Sequence, residues 1–162
     1  MGLVCYALDD SKFNSARMTY RVNGPEGVAE YRANLLKKLD QEFEKCGARA
    51  VILSNEHLSS RLHASSEIAR LKELCDRYAR KTTVIVYLRN QVDFLCSRYV
   101  ESVKGGSTRP FPFPIPGTLA ILMDYARVLA PWGEAFGSAR LAVRRFEAGD
   151  FLRTISSTRE GA

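Results

Sequence analysis

Three segments of the chain repeat their apolar residues with the spacing of an α-helix. The first follows the turn Asn23-Gly24-Pro25-Glu26, which places a proline and an acid in the first helical turn. The second follows Ser66, and the third covers about Val92 to Val103. Each segment is long enough for a helix and shows apolar residues on one face only. The pattern therefore predicts three amphipathic helices that pack against a common core.

Short apolar runs rich in β-branched residues alternate with these helices. They cover Arg49 to Ser54, Thr82 to Leu88 and Arg140 to Phe146, as expected for strands buried on both faces. A further helical pattern spans residues 119–136, where we expect Pro131 to kink or divide the helix. Strands alternating with helices predict the α/β class, a parallel sheet with right-handed crossovers and helices on both sides, in three layers.

The rest of the chain carries weaker patterns. Residues 1–27 form an uncertain N-terminal segment, interpreted up to residue 23 as mixed loop and short helix. Residues 105–117 form a proline-rich loop with four of the six prolines, which suits neither a helix nor a central strand. Asp150 is a candidate cap for a last short helix. No linker is apparent, so residues 1–162 are interpreted as a single domain.

Composition narrows the class of protein without identifying it. The formal net charge is +6, which would favour an anionic ligand or a polyanionic partner, but the basic residues are spread along the chain, so a solvated surface of mixed charge is favoured over nucleic-acid binding. The four cysteines lack the spacing of a zinc site or a redox pair, which favours reduced thiols and a cytoplasmic protein. No apolar run is long enough for a membrane span, and none forms a signal peptide.

Polar residues follow two of the predicted strands directly. Ser54-Asn55-Glu56-His57 follows the first strand, and Arg89-Asn90-Gln91 follows the second. Ligands of parallel sheets bind beyond the carboxyl ends of the strands, where the guanidinium of Arg89 and the first amides of a helix suit a phosphate. An arginine that only caps the sheet edge is the alternative interpretation of Arg89.

The stretch Lys104-Gly105-Gly106-Ser107-Thr108 has the residue types of a phosphate-binding loop. Such a loop must follow a buried strand and open a helix, so that its amides point at the phosphate. This stretch instead ends a predicted helix and leads into the proline-rich loop. We therefore interpret Gly105 and Gly106 as a helix C-terminal cap. Lys104 or Arg109 could still contact a ligand from the rim of a site.

The segment YLRNQVDFLCSRY, residues 87–99, resembles the 3'-phosphate-binding motif of sulfotransferases that use 3'-phosphoadenosine 5'-phosphosulfate. In that motif a strand ends in Arg-Asn, and a serine follows eight residues after the arginine. Arg89, Asn90 and Ser97 match in order and spacing. The similarity extends over about residues 28–152 and is greatest to bacterial members. It implies a P-loop NTPase-like sulfotransferase fold, truncated at its N-terminus.

The resemblance implies a function and roles for individual residues. The reaction would transfer a sulfuryl group from 3'-phosphoadenosine 5'-phosphosulfate to a hydroxyl of a carbohydrate or other small acceptor, without a metal. Arg89, Ser97 and Asn90 would bind the 3'-phosphate of the cofactor, which leaves as 3'-phosphoadenosine 5'-phosphate. Glu56, or His57 in second place, would deprotonate the acceptor. In the alternative interpretation, Glu56 is only an acidic residue at a helix N-terminus, where the helix dipole favours a negative charge.

The 5'-phosphosulfate loop of that family, a strand followed by Lys-x-Gly-Thr/Ser-Thr/Ser, has no counterpart in residues 1–27. We therefore expect impaired catalysis, and a lost N-terminal start is favoured over a short form that has lost activity. A missing strand would leave an exposed sheet edge through which oligomers could form. Two alternatives remain open, a non-catalytic interaction module and a relative of the nucleotide kinases that binds ATP with magnesium.

Overall fold

The computed structural model describes residues 2–12, 15–111 and 113–146, and within these ranges helix is the main secondary structure. In chain order the elements are α1 (Gly2–Ala7), α2 (Ser15–Tyr20), α3 (Gly24–Glu44), α4 (Leu58–Arg61), α5 (Ser65–Tyr78), β1 (Val84–Leu88), α6 (Gln91–Lys104), α7 (Gly117–Met123), α8 (Tyr125–Phe136), a short 3-10 helix (Ser138–Arg140) and β2 (Leu141–Arg145).

The sheet contradicts the predicted fold class. Within the described ranges β1 and β2 form a two-stranded parallel sheet, in which Val84 pairs with Leu141 and Leu88 with Arg145. Val84 and Leu141 pack against the helical core, whereas Ile85, on the opposite face of β1, is 61% exposed. The three-layer parallel sheet of a sulfotransferase fold, with three strands, was therefore a wrong prediction.

The predicted first strand, residues 49–54, is irregular in the structure. Val51, Ile52 and Leu53 are all exposed, and Ile52 retains 89% of its accessible surface. An apolar β-branched run becomes a strand only when a neighbouring strand satisfies its backbone and other elements cover its side chains. The described residues supply no such neighbour for this segment, so its local β-propensity is not realised.

The N-terminal helices lie at the centre of the core. Val4, Cys5 and Leu8 are almost completely buried, and α1 packs against α2, α3 and α5. The helices α1 and α2 have only six residues each, too few for a helical period to be recognised reliably in the sequence. The segment interpreted as loop and short helix is thus helical in part, and it supplies much of the buried apolar surface.

The longer helices agree closely with the sequence pattern because their ends carry local signals. Asn90 caps α6, since its side chain accepts a hydrogen bond of 2.9 Å from the amide of Val92. Pro131 does not divide the helix as one of the two predicted outcomes had it. The break lies at Asp124, whose carboxylate caps α8 by accepting from the Arg127 amide at 3.0 Å, and Pro131 lies inside α8.

Other sequence predictions concern the cysteines, the membrane and the last helix. Cys5 is buried, Cys75 half-buried, and Cys46 and Cys96 exposed, and all four are free thiols. None of the helices in the described ranges combines the length and apolar character that a membrane crossing requires. The predicted helix cap at Asp150 lies outside the described residues.

Candidate functional site

Arg89 lies where the sequence predicts, at the carboxyl end of a parallel strand. β1 ends at Leu88 and α6 begins at Gln91, so only Arg89 and Asn90 separate the strand from the helix. This short strand-turn-helix connection places the N-terminus of α6 next to the end of β1. Unpaired helix N-terminal amides attract anions through their partial positive charge.

The end of β2 brings two more arginines to the same place. The backbone amide of Phe146 donates to the carbonyl oxygen of Leu88 at 2.7 Å, which aligns the ends of both strands. Arg144 and Arg145 therefore lie opposite Tyr87 and Leu88 in the parallel register. The sequence analysis recognised this strand but assigned no role to its arginines, although the pair Arg-Arg at a strand end was the available signal.

Three arginines line one cavity of about 310 Å³ at this end of the sheet. Its lining residues are Leu88, Arg89, Asn90, Gln91, Tyr125, Val143, Arg144 and Arg145. No acidic side chain of the described chain is among them. Guanidinium groups are always charged and offer planar sets of donors, which suit phosphate and sulfate oxygens. The cavity is accordingly a candidate anion-binding site.

Two contacts hold the turn that carries Arg89. The Tyr125 hydroxyl donates a 2.6 Å hydrogen bond to the carbonyl oxygen of Arg89 and so ties α8 to the turn. Burial raises the pKa of Tyr125, outweighing the opposite effect of the Arg89 charge. The Arg89 guanidinium carbon lies 4.5 Å from the centre of the Phe146 ring, within the range of a cation–π contact. Sequence reasoning identified neither Tyr125 nor Phe146 as part of the site.

A second cavity of about 220 Å³ adjoins the first and shares Leu88, Arg89 and Tyr125 with it. The other lining residues are Ser59, Ser60, Val86, Tyr87, Phe94, Leu122, Val128 and Phe146. Ser59 and Ser60 belong to α4, which follows the predicted polar segment Ser54 to His57. The structure thus brings the start of α4 near the end of β1, whereas the predicted segment Ser54 to His57 itself lines neither cavity and follows no strand.

Ser97 does not join Arg89 at either of these cavities. It is half-buried on α6, about 9 Å along the helix axis from Gln91 at 1.5 Å per residue. Of the three residues that the resemblance assigns to the 3'-phosphate, the structure brings Arg89 and Asn90 to the anion cavity. Ser97 could contact a ligand bound at the anion cavity only if that ligand extended along α6.

Glu56 and His57 lie close to each other but line neither cavity. A Glu56 carboxylate oxygen is 3.1 Å from Nε2 of His57, and the His57 amide donates to the Asn55 side chain at 2.9 Å. The Glu56 side chain is 84% exposed. The desolvated cleft that would favour Glu56 as a general base is therefore not formed around it in this structure.

The KGGST stretch forms the predicted helix C-terminal cap. The amide of Ser107 donates to the carbonyl of Ser102, and that of Gly106 to the carbonyl of Val103, both at 2.9 Å. Gly106 has φ of 89°, a left-handed conformation that favours glycine. These are the bonds of a Schellman motif, so the amides of this stretch satisfy the end of α6. The interpretation as a cap is confirmed.

Comparisons with known proteins do not extend this assignment. No protein-family model, curated protein or solved structure matches the chain. Within residues 2–12, 15–111 and 113–146, no three His, Cys, Asp or Glu side chains lie together as a candidate metal site. The functional assignment therefore depends on the anion cavity and on the motif that contains Arg89.

Proposed function

We propose that the chain binds 3'-phosphoadenosine 5'-phosphosulfate and its product 3'-phosphoadenosine 5'-phosphate, with a phosphate in the cavity lined by Arg89, Arg144 and Arg145. One observation carries the proposal. Arg89, the arginine of the sulfotransferase-like motif, lies between a parallel strand and an Asn90-capped helix, and two further arginines, Arg144 and Arg145, are among the residues that line the same cavity. This arrangement supplies both charge and directed hydrogen-bond donors for a phosphate.

The proposed reaction is sulfuryl transfer to the hydroxyl of a carbohydrate or other small acceptor. An acceptor oxygen would attack sulfur, and 3'-phosphoadenosine 5'-phosphate would leave with the electrons of the broken S–O bond. Glu56, with His57 beside it, would have to approach the acceptor to take its proton. Turnover by these residues should be low, because the KGGST stretch caps α6 and its amides are used within the helix end.

Calorimetry with 3'-phosphoadenosine 5'-phosphate tests the binding step. Arg89→Ala should weaken binding by about 1.5–3 kcal/mol, the scale of a hydrogen bond to a charged group, or roughly tenfold to a hundredfold in Kd. Arg98→Ala is the matched control, since Arg98 is exposed on α6 and lines neither cavity. Equal affinity of wild type and Arg89→Ala would contradict the assignment, as would no binding by wild type. Binding of ATP only with magnesium would favour the nucleotide-kinase alternative.

A non-catalytic interaction module is the second candidate function, and the proline-rich loop favours it. Phe113 is 87% exposed and Phe111 41% exposed between prolines, in a segment that Tyr99 contacts through an edge-to-face ring pair. Exposed aromatics in extended proline-rich chain are typical of peptide-like recognition segments. The open face of the sheet at Ile85 offers a further surface for oligomers. A monodisperse monomer in light scattering that retains no partner in pull-down would count against this candidate.

A cytoplasmic location is part of the proposal. It is supported by the four free thiols, two of them exposed at Cys46 and Cys96, because exposed thiols persist best where the environment is reducing. Cell fractionation with an antibody against the native protein tests this location. Recovery in a secreted fraction, with Cys46 or Cys96 in a disulfide, would contradict it.

A further inference from the structure

Helix α6 buries very little of its surface. It has 14 residues, and the structure describes all of them, yet Leu95 alone is buried against the described chain. An isolated helix of about 12–15 residues is only marginally stable in water, because helices in proteins depend mainly on the packing of an apolar face. The caps at the two ends of α6 satisfy backbone groups and leave the middle turns uncovered. The length of α6 therefore calls for a second element packed against it.

Five residues form an apolar stripe along one side of α6. Because a helix turns by about 100° per residue, they lie within an arc of about 100° around the helix axis. Tyr99 is half-buried and the other four are exposed. A continuous exposed apolar stripe on a helix is typical of an interaction site. We call these residues the α6 stripe: Val92, Cys96, Tyr99, Val100 and Val103.

The charges beside the α6 stripe differ between the two ends of the helix. Asp93 in the first turn and Lys104 in the last turn lie on the same flank, within about 20° of each other around the axis. The opposite flank carries the uncharged Gln91 and Ser102. The Lys104 ammonium is 3.3 Å from the carboxylate of Glu101, but both side chains are exposed, so the ammonium can reach a second carboxylate as well.

This distribution of charge is complementary to itself in the antiparallel direction. A two-fold axis brings a surface against the same surface of a second copy, so each flank of α6 would face its own counterpart. Asp93 of one copy would then lie beside Lys104 of the other, and the pair would occur twice. A parallel pair of helices would set both charges against the uncharged flank instead.

The apolar residues match about the same axis. The axis that pairs the charges passes level with Arg98. It places Val92 of one copy opposite Val103 of the other. It also places Cys96 opposite Val100. One symmetry operation therefore pairs both the charges and the apolar side chains, which is the complementarity that a symmetric dimer requires.

We propose that the α6 stripe binds the α6 stripe of a second copy of this chain, with the two helices antiparallel. The stripe is small beside the about 20–30 residues that a standard interface has on each side, so we expect a weak dimer with a micromolar Kd. This surface is separate from the open sheet face at Ile85. The inference does not depend on the proposed function, because the residues of the stripe line neither cavity.

Sedimentation equilibrium of the purified full chain tests the dimer. The wild type should show a monomer–dimer equilibrium at micromolar concentrations. Val100→Asp buries a charge in the middle of the stripe and should raise the dimer Kd by on the order of tenfold or more. Val51→Asp is the matched control, because Val51 is 48% exposed and Val100 49%, but Val51 lies in the irregular segment before α4. Circular dichroism establishes that both variants fold.

Cross-linking with a bismaleimide gives a result that requires no change in the apolar surface. In the antiparallel pair the two Cys96 residues would lie on the order of 10 Å apart. Cys46 is the other exposed cysteine of the described chain and lies outside the stripe. The reagent should therefore produce covalent dimers of the wild type and of Cys46→Ser, and none of Cys96→Ser.

A charge exchange tests the direction of the helices. Asp93→Lys should raise the dimer Kd about twofold or more, because it sets a lysine beside Lys104 of the other copy. Adding Lys104→Asp to that variant should restore most of the affinity. Failure of the second substitution to restore dimerisation would contradict the antiparallel arrangement.

The remaining outcomes decide whether the stripe is the interface. Dimerisation that Val100→Asp weakens and Val51→Asp preserves, with cross-linking through Cys96, supports it. A wild type that stays monomeric at micromolar concentrations would overturn the inference, as would equal dimerisation of Val100→Asp or loss of the dimer in Val51→Asp. Covalent dimers of Cys96→Ser would also overturn it.

Discussion

The guanidinium of Arg89 stacks on the ring of Phe146, 4.5 Å from its centre, just beyond the ends of the two parallel strands. The pair joins residues 57 positions apart in sequence. It exists because the amide of Phe146 bonds to the carbonyl of Leu88, which places the end of β2 beside the turn that carries Arg89. The charged group of the motif is thus already oriented by an aromatic contact before any anion binds.

Phe146→Leu should therefore weaken the binding of 3'-phosphoadenosine 5'-phosphate although the substitution removes no charge. A cation–π contact at a partly exposed site contributes about 0.5–1 kcal/mol, so Kd should rise roughly twofold to fivefold in calorimetry. Phe146→Tyr keeps a ring under the guanidinium and should bind like the wild type. An unchanged Kd in Phe146→Leu would show that the ring does not orient Arg89 for binding.

Arg144→Ala should also weaken binding, and it should change the response to salt. Arg144 lines the anion cavity and is exposed, so its attraction to a phosphate is screened as ionic strength rises. We expect a loss of roughly twofold to fivefold in dilute buffer that becomes smaller near about 0.5 M salt, within the scale of exposed charge pairs. Calorimetry at several salt concentrations measures this, with Arg98→Ala as the control. A salt-independent loss would point to a structural effect instead.

The sequence predicted correctly those features that depend on interactions between residues close together in the chain. The start of α6 after its cap Asn90 and its end before Gly106 depend on hydrogen bonds between residues two to five positions apart, and both ends were recognised. The position of Arg89 followed from the same local pattern. By contrast, the strand predicted at Ile52 required a neighbour from elsewhere in the chain. Local propensity cannot provide that information.

The sequence analysis missed other residues of the site for the same reason, because contacts between distant parts of the chain place them there. Arg144 reaches the anion cavity only through the register of β2 on β1, and Tyr125 reaches it only because α8 begins beside the turn at Arg89. The buried role of Val4 was missed because α1 is too short to show a period. The function and the roles of Glu56, His57 and Ser97 remain predictions.

Gly106→Ala should destabilise the chain without affecting nucleotide binding. A side chain at φ of 89° is strained, and about 1 kcal/mol is expected for an alanine in the left-handed position of a helix cap. Gly47→Ala is the control, because Gly47 has no positive φ and a Cβ there would meet nothing within 4 Å. Urea unfolding gives the stability, and calorimetry with 3'-phosphoadenosine 5'-phosphate gives the affinity. If Gly106→Ala folds but loses much of its affinity, the KGGST stretch contacts the phosphate, contrary to its interpretation as a helix cap.

Glu67→Gln should destabilise the fold at neutral pH because this buried carboxylate has four donors. Lys12 Nζ lies 2.8 Å from Oε1, which also accepts from the amide of Asp9 at 2.9 Å. Oε2 accepts from the amides of His63 and Ala64, each at 3.1 Å. In Glu67→Gln the side-chain NH₂ group, itself a hydrogen-bond donor, would face groups that are also donors, so their hydrogen bonds to this side chain would be lost. The expected loss is about 1–3 kcal/mol, reduced from the value for a fully buried pair because Lys12 is partly exposed. Glu73→Gln is the control: Glu73 is exposed, so this substitution should change the midpoint of urea unfolding little.

The same carboxylate predicts how stability depends on pH. Burial alone would raise the pKa of Glu67, but the bonds from Lys12 and from the Asp9, Ala64 and His63 amides outweigh it and lower the pKa. A group with a lowered pKa in the folded state stabilises fully above its unfolded pKa of about 4.3, and this stabilisation is lost as the pH falls through the folded value. Wild-type stability should therefore decline below about pH 4.3, and less steeply in Glu67→Gln. Urea unfolding of both proteins from neutral to acidic pH measures the difference. Parallel curves would mean that Glu67 does not supply the acid-sensitive part of the stability.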